Sequence, residues 1–170
     1  MRYAVLYASQ TGNTRAVAEA VAAALPAGEV RLEAIRPDAP VPEEETVFVG
    51  FWTDKGLCPP EVQELLKKLG GKRAALFGTA GFGVSQAYFD AIVQRAEALL
   101  PADCTLLGSW MCPGRMPAAV RARYENMARE NPDDPKIAGF LANFDHALSH
   151  PDKQDLVRAG EFAREMAGKQ

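Results

Sequence analysis

Short apolar runs alternate with amphipathic stretches along most of the chain. Helices are predicted where apolar residues recur at three- and four-residue spacing, as at Val62, Leu65, Leu66 and Leu69. Five apolar runs between such stretches predict strands at residues 2–8, 29–35, 46–51, 73–78 and 104–110. Strands that alternate with helices indicate an α/β fold, in which helices cover both faces of a parallel sheet.

The second run differs from the other four. Val30, Leu32 and Ala34 alternate with charged residues, which is typical of a half-covered strand near a sheet edge. Right-handed crossovers limit the possible strand orders. The order 2-1-3-4-5 places this strand at the edge. We therefore predict one doubly wound, five-stranded domain over residues 1–170.

The pattern changes after Trp110. Residues 111–117 contain two prolines and a glycine and predict a loop, and two amphipathic helices precede the closing helix that follows Pro151. A minimal doubly wound domain needs only that last helix. Residues from about 111 to 150 therefore predict a helical excursion after the fifth strand, at the edge of the sheet where such folds bind ligands. Its two helices should pack through one apolar face each.

Composition narrows the possible partners. A net charge of −3 gives no indication of nucleic acid, and no apolar run is long enough to cross a membrane. A strand is predicted from residue 2 onward, so we expect no signal peptide. The spacing of Cys58, Cys104 and Cys112 suits neither a disulfide framework nor a zinc site. His146 and His150 stand four apart before a proline, which we interpret as a helix end. The expectation is a cytoplasmic protein without a metal.

A short polar segment joins the first strand to the first helix: Ser9, Gln10, Thr11, Gly12, Asn13 and Thr14. N–H groups in a first helical turn have no intrahelical partner, and the helix dipole adds positive charge there. The segment lacks the lysine of a Walker loop and the glycines of a dinucleotide fingerprint. An ordinary turn would need only Thr14, as a cap that accepts from backbone N–H groups, whereas Ser9, Thr11, Asn13 and Thr14 all carry side chains that can donate to an oxygen. We therefore predict a phosphate site.

This hexapeptide resembles the FMN phosphate loop of flavodoxins, and the resemblance extends over about the first 110 residues and the last helix. It implies bound FMN, with the loops after the third and fourth strands around the isoalloxazine ring. Trp52 and Phe82 would border the ring, and the Gly56 peptide would accept a hydrogen bond from reduced N5. The ring loops so implied are Trp52, Thr53, Asp54, Lys55 and Gly56, and Thr79, Ala80, Gly81, Phe82 and Gly83.

Two features depart from the familiar electron-carrier flavodoxins. Lys55 stands where those proteins place acidic groups, which predicts a higher potential because a cation favours the anionic reduced flavin. The excursion is the other departure. Its first residues, 112–116, together with the loop at 52–56, resemble a bacterial subgroup of flavodoxin-like proteins, some associated with reduction of linear tetrapyrroles such as bilirubin.

The function expected from these features is electron transfer between a reductase and an acceptor enzyme, without a catalytic residue of the chain's own. Two other functions stay open at this point. One is an FMN-dependent NAD(P)H reductase that acts directly on a quinone or a flavin, and the other is an interaction module without flavin. A phosphate-receiver domain is excluded, because Tyr7, Ala8 and Ser9 provide no acidic pair after the first strand.

Overall fold

The computed structural model describes residues 1–82 and 85–169. Within them the strands are β1 (Tyr3–Tyr7), β2 (Val30–Ala34), β3 (Thr46–Trp52), β4 (Arg73–Ala80) and β5 (Thr105–Pro113). The helices are α1 (Asn13–Ala23), α2 (Pro60–Leu66), α3 (Gln86–Glu97), α4 (Ala118–Glu130), α5 (Pro135–Ala147) and α6 (Lys153–Gly168). None of these helices is long and apolar enough to cross a membrane.

The strands form one parallel sheet in the order β2-β1-β3-β4-β5, which confirms the predicted order. Alternate strand residues enter two separate cores. On one face Val5, Phe48 and Phe77 pack with residues of α1 and α6. On the other, Leu6, Val49 and Leu76 pack with residues of α2 and α3. Burial on both faces explains why these central strands are almost continuously apolar.

β5 extends beyond its predicted end at Trp110. Pairing with β4 continues through Met111, Cys112 and Pro113, and the first two of these are buried. The prediction that residues 111–113 belong to a loop is therefore wrong. A proline is tolerated at the end of an edge strand, because its missing N–H faces no neighbouring strand, so Pro113 marks the last paired residue.

β2 lies at the opposite edge, as predicted, but it is more exposed than its alternating pattern suggests. Leu32 is 40% exposed, although it belongs to the apolar set of the strand. Arg31 fastens this edge to the following loop by donating from Nε and Nη2 to the two carboxylate oxygens of Glu44, at 2.7 and 2.9 Å. This pairing lowers the pKa of Glu44 to about 2.

The excursion consists of α4 and α5, which pack against each other as predicted. Tyr124 of α4 meets Phe140 of α5 with ring centroids 5.3 Å apart. Arg121 reaches Asp145 through Nε and Nη2, at 3.1 and 3.2 Å. α5 buries Ile137, Asn143, Phe144 and Ala147, whereas no residue of α4 is fully buried. α4 is therefore a half-exposed outer layer.

Candidate cofactor site

The carboxyl ends of β1, β3, β4 and β5 meet at one edge of the sheet, because the strands are parallel and adjacent. Ligands of doubly wound folds bind at this edge, near the point where the strand order reverses. Here β1 lies between β2 and β3, so the reversal falls beside the segment at residues 9–14. The predicted phosphate and ring loops all leave the sheet at this edge.

The segment at residues 9–14 presents backbone donors. Gly12 precedes α1 with a φ of +92°, and no side chain caps the helix. Ser9 Oγ accepts from the N–H groups of Gly12 and Arg15, both at 3.2 Å. Within the described residues, no acceptor receives the N–H groups of Gln10, Thr11, Asn13 and Thr14. These donors, at the positive end of a helix dipole, suit a phosphate.

The side chains of Asn13 and Thr14 point away from bulk water. Thr14 has no exposed surface, and its hydroxyl lies 3.0 Å from that of Thr79 on β4. Asn13 is 7% exposed and donates from Nδ2 to the carbonyl of Arg115, at 2.8 Å. Its Oδ1 is buried and has no hydrogen-bond partner among the described residues. Thr14 therefore fixes the start of α1 to the sheet, and Asn13 keeps one acceptor free.

The first predicted ring loop is a tight hairpin after β3. Thr53 ties its base to β4, since both its N–H and its hydroxyl donate to the Thr79 carbonyl. Asp54 and Leu57 exchange two backbone hydrogen bonds across Lys55 and Gly56, which have φ of +50° and +81°. Two central residues with positive φ are typical of a type I′ turn. The turn is rigid at its base, and Lys55 projects at its tip as an exposed side chain.

A second anchor holds the same turn from the outside. Arg95 of α3 donates from Nη1 to the Gly56 carbonyl, at 3.0 Å. In this arrangement the carbonyl oxygen is already in a hydrogen bond. The predicted acceptor role of Gly56 toward a reduced flavin stays a prediction, and it would require the oxygen to accept a second hydrogen bond or to release Arg95.

The second predicted ring loop is mostly strand. Thr79 and Ala80 are buried at the end of β4, and Gly81 and Phe82 follow directly. The carbonyl of Gly81 accepts from Asn143 Nδ2 of α5, at 2.9 Å. Gly83, which the resemblance also implied, lies outside the described residues.

Phe82 contacts the excursion. Its ring centroid lies 5.3 Å from that of Phe140 and 6.0 Å from that of Tyr88, both in edge-to-face geometry. Trp52, in contrast, lines a cavity at the site. The two aromatic residues that the sequence paired thus have different surroundings, and whether both border a ligand stays a prediction.

A cavity of about 130 Å³ joins the phosphate loop to the ring loops. Its lining combines predicted and unpredicted residues: Gln10, Thr11, Asn13, Trp52, Thr53, Thr79, Gly81, Gly114, Arg115, Met116 and Pro117. The last four belong to the turn after β5, which sequence reasoning placed at the right edge but did not assign to the site. Asn143 was also missed, although a polar residue on the apolar face of a predicted helix is a usable signal.

The site carries two cations, Lys55 and Arg115, and one exposed carboxylate, Asp54. Lys55 and Arg115 are exposed, and neither forms an ion pair with another described residue. The cysteines offer no anion, because burial raises the pKa of the Cys58 thiol to about 11 and raises that of Cys112 further. The site therefore suits an anionic ligand.

His150 belongs to the start of α6. Its Nδ1 lies 2.5 Å from Oδ2 of Asp155, and the same oxygen accepts from the Asp152 N–H. The side chain of Asp152 accepts in turn from the Asp155 N–H, which completes a capping box. The three groups lie within 4.8 Å of one another. Their mutual hydrogen bonds explain the cluster as a helix cap that also holds His150.

Comparison with known proteins agrees with this geometry. A sequence profile described as the flavodoxin domain matches residues 4–164, nearly the whole chain. The chain belongs to the flavodoxin family. Two relatives, each named flavodoxin-like domain-containing protein BilS, match along almost their full length. The one from Clostridium symbiosum is 38% identical, over 95% of this chain and 94% of the relative. The one from Clostridioides difficile is 33% identical, over 98% and 96%.

Solved structures show the same flavodoxin fold. A flavodoxin from Streptococcus pneumoniae TIGR4 superimposes with a TM-score of 0.63 at 18% identity, over 99% of each chain. Oxidised Flavodoxin 2 from Bacillus cereus superimposes with a TM-score of 0.59 at 19% identity, over 100% of each chain. Because both superpositions cover almost the whole chain, they include α4 and α5, although the sequences are only 18–19% identical.

The residues of this flavodoxin-family site fit FMN at its phosphate end. The free N–H groups of residues 10, 11, 13 and 14 suit phosphate oxygens, and the buried, unpartnered Oδ1 of Asn13 suits a hydroxyl donor of the ribityl chain. The cavity of about 130 Å³ is smaller than the roughly 300–1,000 Å³ of sites for drug-sized ligands. Room for the ring must therefore come from its open side or from Met116, an adaptable side chain that packs on Gly81.

Proposed function

We propose that this protein is an FMN-binding electron carrier that delivers electrons to a partner redox enzyme. The observation that supports it most strongly is the set of unpaired N–H groups at residues 10, 11, 13 and 14, located beside a cavity that Trp52 lines. Membership of the flavodoxin family supports the same cofactor. A cytoplasmic location is part of the proposal.

Each part of the site would have a separate task. The N–H groups of Gln10, Thr11, Asn13 and Thr14 would hold the phosphate, and Trp52 would shield one side of the ring. FMN itself supplies the redox chemistry. The hairpin at Asp54–Leu57 would fix the distance between Lys55 and the ring, because its base is hydrogen-bonded to β4 and its Gly56 carbonyl to Arg95.

The excursion favours a carrier over an enzyme with its own small substrate. Phe140 packs on Phe82, Asn143 bonds Gly81, and Met116 packs on the same glycine. Protein atoms thus cover the side of the site toward β5, which would leave less open surface from which a second small molecule could reach the flavin. The exposed outer face of α4 is a natural contact surface for a protein partner. The resemblance to flavodoxin-like proteins associated with tetrapyrrole reduction suggests an acceptor enzyme of that class.

The test is anaerobic electron delivery by the FMN-loaded protein. After chemical reduction, the protein is mixed either with a candidate tetrapyrrole reductase and bilirubin or with bilirubin alone, and flavin reoxidation is followed by absorbance. The carrier function predicts fast reoxidation only when the enzyme is present. Gly12→Val should abolish electron delivery by preventing FMN loading, because a valine is strained at the φ of +92° that Gly12 adopts.

Steady oxidation of NAD(P)H by the protein, with a quinone and no partner, would instead support the direct reductase. Failure to retain any flavin would leave the interaction module as the surviving hypothesis.

A further inference from the structure

Arg115 is held beside the phosphate loop by its backbone. Its carbonyl accepts from Asn13 Nδ2 at 2.8 Å, and its N–H donates to the carbonyl of His150 at 2.9 Å. Gly114 packs so closely on Asn13 that a Cβ added there would lie 2.7 Å from Nδ2. Arg115 therefore has a fixed position relative to the first residue of α1.

The side chain of Arg115 is available for a ligand. It lines the same cavity as Thr11 and Asn13, it is exposed, and it forms no ion pair or hydrogen bond with another described residue. Arg15, the other arginine beside the phosphate loop, donates to Glu19 at 2.8 Å. Of these two cations, Arg115 is the one whose charge is not already balanced by a carboxylate.

Asn13 gives independent evidence that a polar ligand enters this cavity. It is 7% exposed, it lines the cavity, and its Oδ1 has no partner among the described residues. A buried acceptor without a partner is costly. A ligand that carries both hydroxyl donors and an anionic group would satisfy Asn13 and Arg115 together.

We propose that the Arg115 guanidinium binds the phosphate of FMN, an inference that rests on the proposed function. The loop at residues 9–14 has no charged side chain, so it offers a phosphate of charge about −1.5 to −2 only neutral donors and the partial charge of the helix dipole. A guanidinium presents several N–H donors in a planar fork that matches phosphate oxygens. The turn after β5 thereby becomes part of the cofactor site, and Arg115 adds to the preference for FMN over riboflavin that the N–H groups provide.

The experiment measures FMN and riboflavin affinities of the full-length apo-protein by flavin fluorescence. The variants are Arg115→Gln, Arg115→Lys and, as a matched control, Arg129→Gln at the exposed end of α4. We expect Arg115→Gln to weaken FMN binding about tenfold and riboflavin binding less than twofold. Arg115→Lys should recover part of the loss, and Arg129→Gln should change neither affinity. Added salt should weaken FMN binding less in Arg115→Gln than in the wild type.

The outcomes separate this inference from the function on which it rests. If the wild type binds FMN but Arg115→Gln loses no more than Arg129→Gln, the assignment of Arg115 is wrong and the carrier function survives. Equal losses of FMN and riboflavin would likewise overturn it, because riboflavin has no phosphate. If the wild type binds no FMN, the proposed function fails and the inference fails with it. Circular dichroism of the apo-variants checks that each one folds.

Discussion

The sheet and the excursion are held together in different ways. The central strands of the sheet carry residues with no exposed surface on both faces, as at Val5 and Phe48. The excursion has one helix, α4, without a fully buried residue, and it attaches to the sheet through a few specific contacts. Those contacts include the hydrogen bond from Asn13 to Arg115 in the turn before α4, the hydrogen bond from Asn143 to Gly81, and the packing of Phe140 on Phe82 and of Met116 on Gly81.

This difference indicates that specificity for a ligand and a partner depends on residues at the site. Apolar burial determines the fold of the sheet and tolerates many sequences, whereas each excursion contact involves a residue next to the cavity. We therefore expect the excursion to affect electron delivery and the choice of partner much more than the folding of the chain.

Removing the excursion should separate delivery from cofactor binding. The Arg115 N–H lies 2.9 Å from the His150 carbonyl, so the two ends of the excursion are adjacent. A short glycine-serine bridge can therefore replace residues 118–147 while keeping β5, Arg115 and the α6 cap. We expect FMN affinity within about threefold of the wild type and at least a tenfold slower electron delivery, measured by stopped-flow reoxidation.

The matched control for this deletion is Arg164→Gln, an exposed arginine of α6 outside the excursion. Delivery at the wild-type rate by the shortened protein would show that the sheet and its loops suffice for partner recognition.

Two glycines at the junction should differ in their sensitivity to a methyl group. A Cβ at Gly114 would meet Asn13 Nδ2 at 2.7 Å, and that amide is held by its bond to Arg115. A Cβ at Gly81 would meet Met116 Cγ at 2.3 Å, but methionine has several rotatable bonds and can move. Gly114→Ala should lower the free energy of unfolding by about 2 kcal/mol and Gly81→Ala by less than about 1 kcal/mol.

Urea unfolding of the two apo-variants provides this measurement. A larger loss for Gly81→Ala than for Gly114→Ala would mean that Met116, and not Asn13, is the rigid part of the junction.

The sheet has its own electrostatic fastening, far from the excursion. Pairing with Arg31 lowers the pKa of Glu44 to about 2 from an ordinary value near 4.5. A carboxylate with a lowered folded pKa stabilises the fold above its unfolded pKa, and this contribution is lost as pH falls from about 4.5 toward 2. Because Arg31 is 35% exposed, we expect Glu44→Gln to cost about 1–2 kcal/mol at pH 7.

The gap between wild type and Glu44→Gln should close as the pH of the urea titrations falls from 5 to 2. FMN affinity at pH 7 should be the same in both proteins, since Glu44 lies outside the site. A gap that stays constant with pH would contradict the role assigned to the ion pair.

The smallest expected effect concerns Lys55. Its exposed ammonium at the tip of the Asp54–Leu57 hairpin should favour the anionic reduced state of a neighbouring flavin. Lys55→Ala should lower the two-electron midpoint potential by about 20 mV, as expected for a partly screened charge. Lys136→Ala, an exposed lysine of the excursion, is the control and should leave the potential unchanged. Dye-equilibrated reductive titration measures both, and an unchanged or raised potential in Lys55→Ala would refute the role of Lys55.

The contrast between apolar burial in the sheet and specific contacts of the excursion also explains which features the sequence could predict. Strand order and core residues followed from apolar periodicity, because burial on two faces forces a continuous apolar run such as Val47–Phe51. The end of β5 was misjudged, since Pro113 and Gly114 mark a turn locally while burial of Met111 and Cys112 extends the strand.

The excursion contacts could not be predicted in the same way. Asn13 and Arg115 are 102 positions apart, and no local pattern links such a pair. The hexapeptide that contains Asn13 and Thr14 was recognisable as a motif. The partners of these two side chains, however, come from β4 and from the turn after β5, and they depend on the tertiary fold.

The proposed function depends on FMN binding at this edge of the sheet, beside Trp52. Titration of the apo-protein with FMN, followed by tryptophan emission, tests it most directly. Trp52 lines the cavity, whereas Trp110 stacks on Phe162 in the core that faces α6, with centroids 6.4 Å apart. We predict saturation at one FMN per chain with a Kd of about 1 μM or tighter, and quenching that Trp52→Phe largely removes and Trp110→Phe does not. Absence of saturable binding, or quenching that disappears only with Trp110→Phe, would contradict the account.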